Sequence, residues 1–133
     1  MSWRWVERQL LLLLHDESLT MHGGASGLRD PGLLDSALAR PLNLVAYGDP
    51  DVAALAACYA FGLAQNHPFV DGNKRAAFLS MGLFLGANGY RLTASQAEAT
   101  VAMFGLAAGE IDEPTLAAWL RDHIAARAPE NPR

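Results

Sequence analysis

Cysteine is almost missing from this sequence: Cys58 is the only one in 133 residues. A disulfide within the chain is therefore excluded, and we expect a reducing compartment, the cytoplasm. Cys58 lies in the apolar stretch ALAACYAFGLA. That setting favours a small buried thiol over a reactive one.

Long hydrophobic runs and net positive charge are missing as well. The longest leucine run, Leu10–Leu14, lies between Glu7 and Asp16 and is too short for a secretory signal or a membrane span. The formal net charge is −4, which argues against direct nucleic-acid binding over the whole surface. We therefore expect a soluble protein without a membrane partner, in which any anion site is local.

Helix start and stop signals divide the chain, and they predict one all-α domain over residues 1–133. The predicted helices are Ser2–Leu19, a short helix from Asp30 and Pro31 to Pro41, Asp51–Asn66, Asn73–Asn88, a helix after the capping box Ser95–Glu98, and a last helix after Asp112 with Leu116, Leu120 and Ile124 on one side. Only Tyr90–Thr93 reads as extended.

The two central helices, Asp51–Asn66 and Asn73–Asn88, are apolar on all sides. This pattern predicts the buried pair of a helical bundle. The stretch HPFVDGNKR, residues 67–75, falls on the loop that joins them. Polar chemistry is thus concentrated between the two most buried elements.

The end of this stretch suits an anion. Gly72 lets the backbone turn closely, and the first amides of the following helix have no partners within it. Lys74 and Arg75 add two positive charges, and Asn73 can donate an amide hydrogen bond. A phosphate group is the natural ligand for such a site.

Asp71 and His67 extend the interpretation. A carboxylate beside a phosphate repels it unless a cation lies between them. We therefore expect Asp71 to bind a magnesium ion that also contacts the phosphate. His67 carries the side chain best suited to general base catalysis near neutral pH. Taken singly, Asp71 or Asn73 could merely cap a helix, and His67 and Arg75 could be ordinary surface residues. Their occurrence together favours a catalytic loop.

HPFVDGNKR resembles the active-site loop of the Fic/Doc family, His-x-Phe-x-(Asp/Glu)-(Gly/Ala)-Asn-(Gly/Lys)-Arg. HGGASGLRDPGLLDSALARP, residues 22–41, is similar to the segment that precedes this loop in the Doc toxin branch. The resemblance implies a compact helical bundle with a short flap before the second helix. The flap, within residues 21–30, is a candidate for docking the target, although a plain loop is the simpler interpretation.

Residue roles follow from the resemblance. It implies that His67 is the general base, that Asp71 binds Mg²⁺, and that Gly72, Asn73, Lys74 and Arg75 bind the phosphates of ATP. Most Fic enzymes have glycine at the position of Lys74 and transfer AMP. Lysine is typical of the Doc branch, where the γ-phosphate is transferred, so Lys74 is also a candidate catalytic residue.

The function implied is a toxin that phosphorylates a hydroxyl of a translation factor, with elongation factor Tu as the expected target. AMP transfer is the first alternative, and a catalytically silent partner-binding module is the second. The inhibitory helix of many Fic enzymes, (Ser/Thr)-x-x-x-Glu-(Gly/Asn), has no match in the sequence. Inhibition is therefore expected from a separate protein, an antitoxin similar to Phd.

Overall fold

The computed structural model describes residues 2–128 and is helical, with one very short sheet. Its helices are α1 (Arg8–His22), α2 (Pro31–Ala46), α3 (Val52–Asn66), α4 (Asn73–Ala87), α5 (Gln96–Ala107) and α6 (Glu113–Asp122). Strands β1 (Tyr90–Leu92) and β2 (Ile124–Ala126) pair antiparallel, with Arg91 opposite Ala125. The prediction of an all-α bundle is confirmed.

Side-chain caps start the helices where the sequence predicts them. Asp30 and Asp51 each accept a hydrogen bond from the backbone amide three residues on, at 3.0 and 2.9 Å. Ser95 and Glu98 form the reciprocal capping box, at 3.1 and 2.9 Å. These bonds satisfy amides that have no partner within their own helix.

The prediction that Pro41 ends the second helix is wrong. Pro41 lies inside α2, which continues to Ala46. Proline costs a helix interior about 3 kcal/mol because it removes a backbone hydrogen bond. Leu34, Ala37 and Pro41 are the buried residues of α2. Burying this apolar stripe outweighs the lost bond.

The predicted start of the first helix is also wrong, since α1 begins at Arg8 and not at Ser2. The residues before it cross the end of α4 instead. The backbone of Arg4 donates to Asn88 Oδ1 at 3.0 Å and accepts from Asn88 Nδ2 at 2.9 Å. A pair of tryptophans, Trp3 and Trp5, packs on the core here.

Ile124, predicted on the last helix, lies instead in β2. α6 ends at Asp122, and Ile124 pairs with Leu92 of β1. The extended segment predicted at Tyr90–Thr93 thus pairs with a strand that was not predicted from the sequence. The sequence also predicts that the tail RAPENPR, residues 127–133, is frayed, and residues 129–133 of it lie outside the described part of the chain.

Helix α3 lies at the centre of the core, with eleven of its fifteen residues buried. Only six of the fifteen residues of α4 are buried, so this helix faces the core on one side. The prediction of a buried pair is therefore confirmed for α3 and half right for α4. Cys58 is buried in α3 as predicted, and burial raises the pKa of its thiol to about 12. No helix within residues 2–128 is long and apolar enough to cross a membrane.

Candidate functional site

The predicted catalytic loop, residues 67–72, lies between the end of α3 and the start of α4. His67 has left-handed backbone torsions, φ 48° and ψ 56°, and its amide still donates to Leu63 O at 3.3 Å. Within residues 2–128 it is the only non-glycine residue with positive φ. Histidine, like asparagine and aspartate, adopts this conformation more often than most non-glycine residues do, but it remains unfavourable, so contacts with the surroundings help to hold it.

Gly72 is the residue at which the chain turns into α4, and its backbone passes close to α1. A close turn at this glycine is what the sequence predicts. Its φ is 74°, and a Cβ there would lie 3.0 Å from His15 Nε2 and 3.2 Å from Leu19 Cδ2. A side chain at this position would strain the backbone and push the side chains of His15 and Leu19 aside by a few tenths of an ångström.

Asn73 holds the loop closed. Its Oδ1 accepts from the amide of Phe69 at 3.0 Å, and its Nδ2 donates to Phe69 O at 3.0 Å. Both polar ends of the side chain are therefore used within the protein. The predicted contact of Asn73 with a phosphate stays a prediction, and the structure adds a bracing role.

A second histidine, which was not predicted as part of the site, contacts the loop from α1. His15 of α1 is buried, stacks on the ring of Phe69 at a centroid distance of 3.8 Å, and lies with Nε2 2.9 Å from Asp71 O. A carbonyl only accepts, so Nε2 is the donor and carries the proton. The available signal was a histidine at four-residue spacing between Leu11 and Leu19 on the buried face of α1.

Residues 23–30, the part of the predicted flap that follows α1, pair with the loop along the backbone. Pro68 O accepts from the amides of Arg29 and Asp30 at 2.7 and 3.0 Å, and Val70 donates to Gly27 O at 3.0 Å. The edge of the flap that faces the loop is therefore already occupied. A target strand could pair only with another part of it.

Asp71 presents an exposed carboxylate to the site. Oδ1 accepts from the amide of Gly72 at 2.8 Å, and Oδ2 accepts from the amide of Ala25 in the flap at 3.3 Å. Each oxygen keeps acceptor capacity after these bonds. No group of three or more potential metal ligands occurs within residues 2–128. A single carboxylate nevertheless fits magnesium when phosphates supply further ligands.

A cavity of about 460 Å³ brings the predicted residues together. One part of its wall is polar, and all six predicted site residues line it: His67, Asp71, Gly72, Asn73, Lys74 and Arg75. The opposite wall comes from α5 and includes Met103 and Phe104. The space suits an elongated ligand with one charged and one less polar end.

The cations of the cavity are available to an anion. The ammonium of Lys74 lies 5.0 Å from the centroid of the Phe104 ring. Among the ion pairs of residues 2–128, none involves Lys74 or Arg75. Both follow the first residue of α4, where the helix dipole also attracts negative charge.

A family model described as the Fic/DOC family matches residues 5–85, which include α1 to α3, the loop and most of α4. The chain belongs to the Fic/DOC family. It is similar to a protein named protein kinase doc from Escherichia phage P1, with 35% identity over 119 residues, 89% of this chain and 94% of that one. It is also similar to a protein named toxin Doc from Mycolicibacterium smegmatis, with 46% identity over 74 residues, 54% of this chain and 57% of that one.

Proposed function

We propose that this Fic/DOC protein is a toxin that transfers the γ-phosphate of ATP to a serine or threonine hydroxyl of another protein. The observation that carries the proposal is the shared cavity, which is lined by His67, the carboxylate of Asp71 and the cations Lys74 and Arg75. The names of the two relatives, a protein kinase and a toxin, support the same activity for this chain.

His67 accepts the proton of the target hydroxyl in this proposal. The oxygen of the target hydroxyl forms a bond to the γ-phosphorus. The bond from that phosphorus to the oxygen that bridges it to the β-phosphate breaks, and ADP leaves. Lys74 and Arg75 stabilise negative charge on the phosphate oxygens, together with the amides at the start of α4. Asp71 would hold Mg²⁺, which neutralises phosphate charge when bound.

The proposed target is a translation factor, with elongation factor Tu first among the candidates because of the Doc-like loop. Cytoplasmic location and inhibition by a Phd-like antitoxin belong to the same proposal. If it holds, expression of the protein alone arrests bacterial growth, and co-expression with its antitoxin restores growth. Normal growth at high levels of folded protein would favour a silent binding module instead.

The test of the reaction uses ATP labelled at either the α- or the γ-phosphate, with a bacterial lysate or purified elongation factor Tu. We expect γ-label on a protein and no α-label, since a lysine at position 74 would clash with an α-phosphate placed against the backbone there. Lys74→Gly should lose γ-transfer. Transfer of α-label by the natural sequence would replace the kinase proposal with AMP transfer.

A further inference from the structure

The backbone conformation of His67 needs a cause outside the residue itself. Left-handed torsions are unfavourable for any residue with a side chain, although histidine adopts them more readily than most. Helix α3 places its amide through the bond to Leu63 O, but that bond leaves the carbonyl side of His67 undetermined.

Arg29 of the flap holds the carbonyl side. Its Nε donates to His67 O at 2.9 Å, Nη2 donates to the same oxygen, and Nη2 also donates to Asn66 O at 3.1 Å. These are carbonyls at the end of a helix, which lack partners within it and attract a cation. The planar guanidinium matches two neighbouring acceptors in a way that an ammonium does not.

The position of Arg29 separates it from the residues that meet a ligand. It does not line the cavity, and its side-chain bonds in the described structure all go to backbone carbonyls. Its own amide donates to Pro68 O at 2.7 Å, which anchors the flap to the loop beside His67. A direct contact with phosphate is therefore not its role.

We propose that Arg29 is a positioning residue that fixes the direction of the His67 side chain for proton transfer. With α3 holding the amide of His67 and Arg29 holding its carbonyl, both backbone torsions are fixed, and so is the Cα–Cβ bond. The inference rests on the proposed function only in taking His67 as the base.

The experiment compares Arg29→Ala and Arg29→Lys with the unchanged protein in two measurements. Steady-state transfer from γ-labelled ATP gives kcat and KM. NMR gives the coupling between the amide and α protons of His67, which depends on φ and requires no activity. The matched control is Arg127→Ala: Arg127 also donates to a helix carbonyl, Gly86 O at 2.8 Å, and this carbonyl lies about 20 Å along α4 from Asn73.

For Arg29→Ala we expect kcat to fall by about 10- to 100-fold, with KM for ATP within about twofold, because misplacement of a base slows the chemical step. The coupling of His67 should change at the same time. Arg29→Lys should retain part of kcat, since lysine can donate to one carbonyl, and Arg127→Ala should change neither measurement.

Unchanged kcat and an unchanged His67 coupling in Arg29→Ala would overturn the inference. A rise in KM with constant kcat would also overturn it, because it would show direct binding of the nucleotide. If Arg29→Ala does not fold, the test is Arg29→Lys. Full activity of this variant together with a changed coupling between the amide and α protons of His67 would also overturn the inference. Absence of transfer by the unchanged protein would instead reject the proposed function, while the NMR result would still decide whether Arg29 holds His67.

Discussion

The α3–α4 pair and the loop that joins them are held together by different forces. The core residues of α3 and α4 are almost all apolar, and Ser80 is the one buried polar residue of α4. The loop is held by hydrogen bonds from α1, from the flap and from the start of α4. Apolar burial has no direction, whereas a hydrogen bond does. The helix pair therefore sets stability, and the directed bonds set the geometry of the site.

The largest expected effect tests the loop alone. His67→Ala should reduce phosphate transfer by roughly 10² to 10⁴ because it removes the base. His67→Asn is the sharper variant, since asparagine accepts left-handed torsions more readily than alanine. Both should keep a free energy of unfolding close to that of the unchanged protein. The control is Gln65→Ala, an exposed position that does not line the cavity. Retained activity in both His67 variants would remove the catalytic assignment.

The second prediction tests the core. Phe84 of α4 is fully buried, and its ring centroid lies 5.3 Å from that of Tyr59 and 5.9 Å from that of Trp3. Phe84→Ala should lower the free energy of unfolding by about 3–5 kcal/mol, measured by urea denaturation. The matched control, Phe104→Ala, removes a ring that is 59% exposed and should cost about 0.5 kcal/mol or less. Equal losses would contradict the division of roles.

Gly72 is the point where the two regions meet, and its substitution should affect both. Gly72→Ala introduces strain at φ 74° and a contact of 3.0 Å with His15. We expect a loss of about 1–3 kcal/mol in the free energy of unfolding and a lower kcat, because His15 braces the loop through Asp71.

Gly82 supplies the control for that change. It lies in α4, and a Cβ there would meet nothing within 4 Å. Gly82→Ala should raise the free energy of unfolding by roughly 0.5–1 kcal/mol and leave transfer unchanged. A stabilising Gly72→Ala would show that the positive φ and the close contact with His15 do not constrain the loop.

The smallest effect concerns the far end of α3. Asp51 caps this helix and lies 2.7 Å from Arg121, whose hydrogen bond holds the pKa of the carboxyl below its usual value of 3.8. A lowered pKa means that the ionised form stabilises the fold above that value, and that this contribution is lost as pH falls through the folded pKa.

Asp51→Asn keeps a capping acceptor but cannot ionise. Its free energy of unfolding should therefore fall less steeply between about pH 5 and pH 3, by less than about 1 kcal/mol because the pair is exposed. Arg121→Met should likewise weaken the pH dependence of the free energy of unfolding in this range. Phosphate transfer near pH 7 should not change in either variant. An unchanged slope in both would show that the pair contributes nothing.

Most of the site could be predicted because its residues are neighbours in the sequence. His67, Asp71, Gly72, Lys74 and Arg75 lie within nine positions, and a turn into a helix brings such a stretch to one place. The structure places them around one cavity, and their chemical roles stay predictions.

The supporting contacts could not be predicted in the same way. His15 and Arg29 lie 56 and 38 positions from the loop residues they contact, and nothing local in the sequence encodes those distances. The sequence by itself determined that the chain is helical, where several caps lie and which polar residues meet in the loop, because propensity, capping and charge act over a few residues. Only the tertiary structure decided that Pro41 stays helical, that Ile124 joins a strand and that His67 is held in a left-handed conformation. Each of these depends on burial or hydrogen bonds between distant segments, which exist only once the chain is packed.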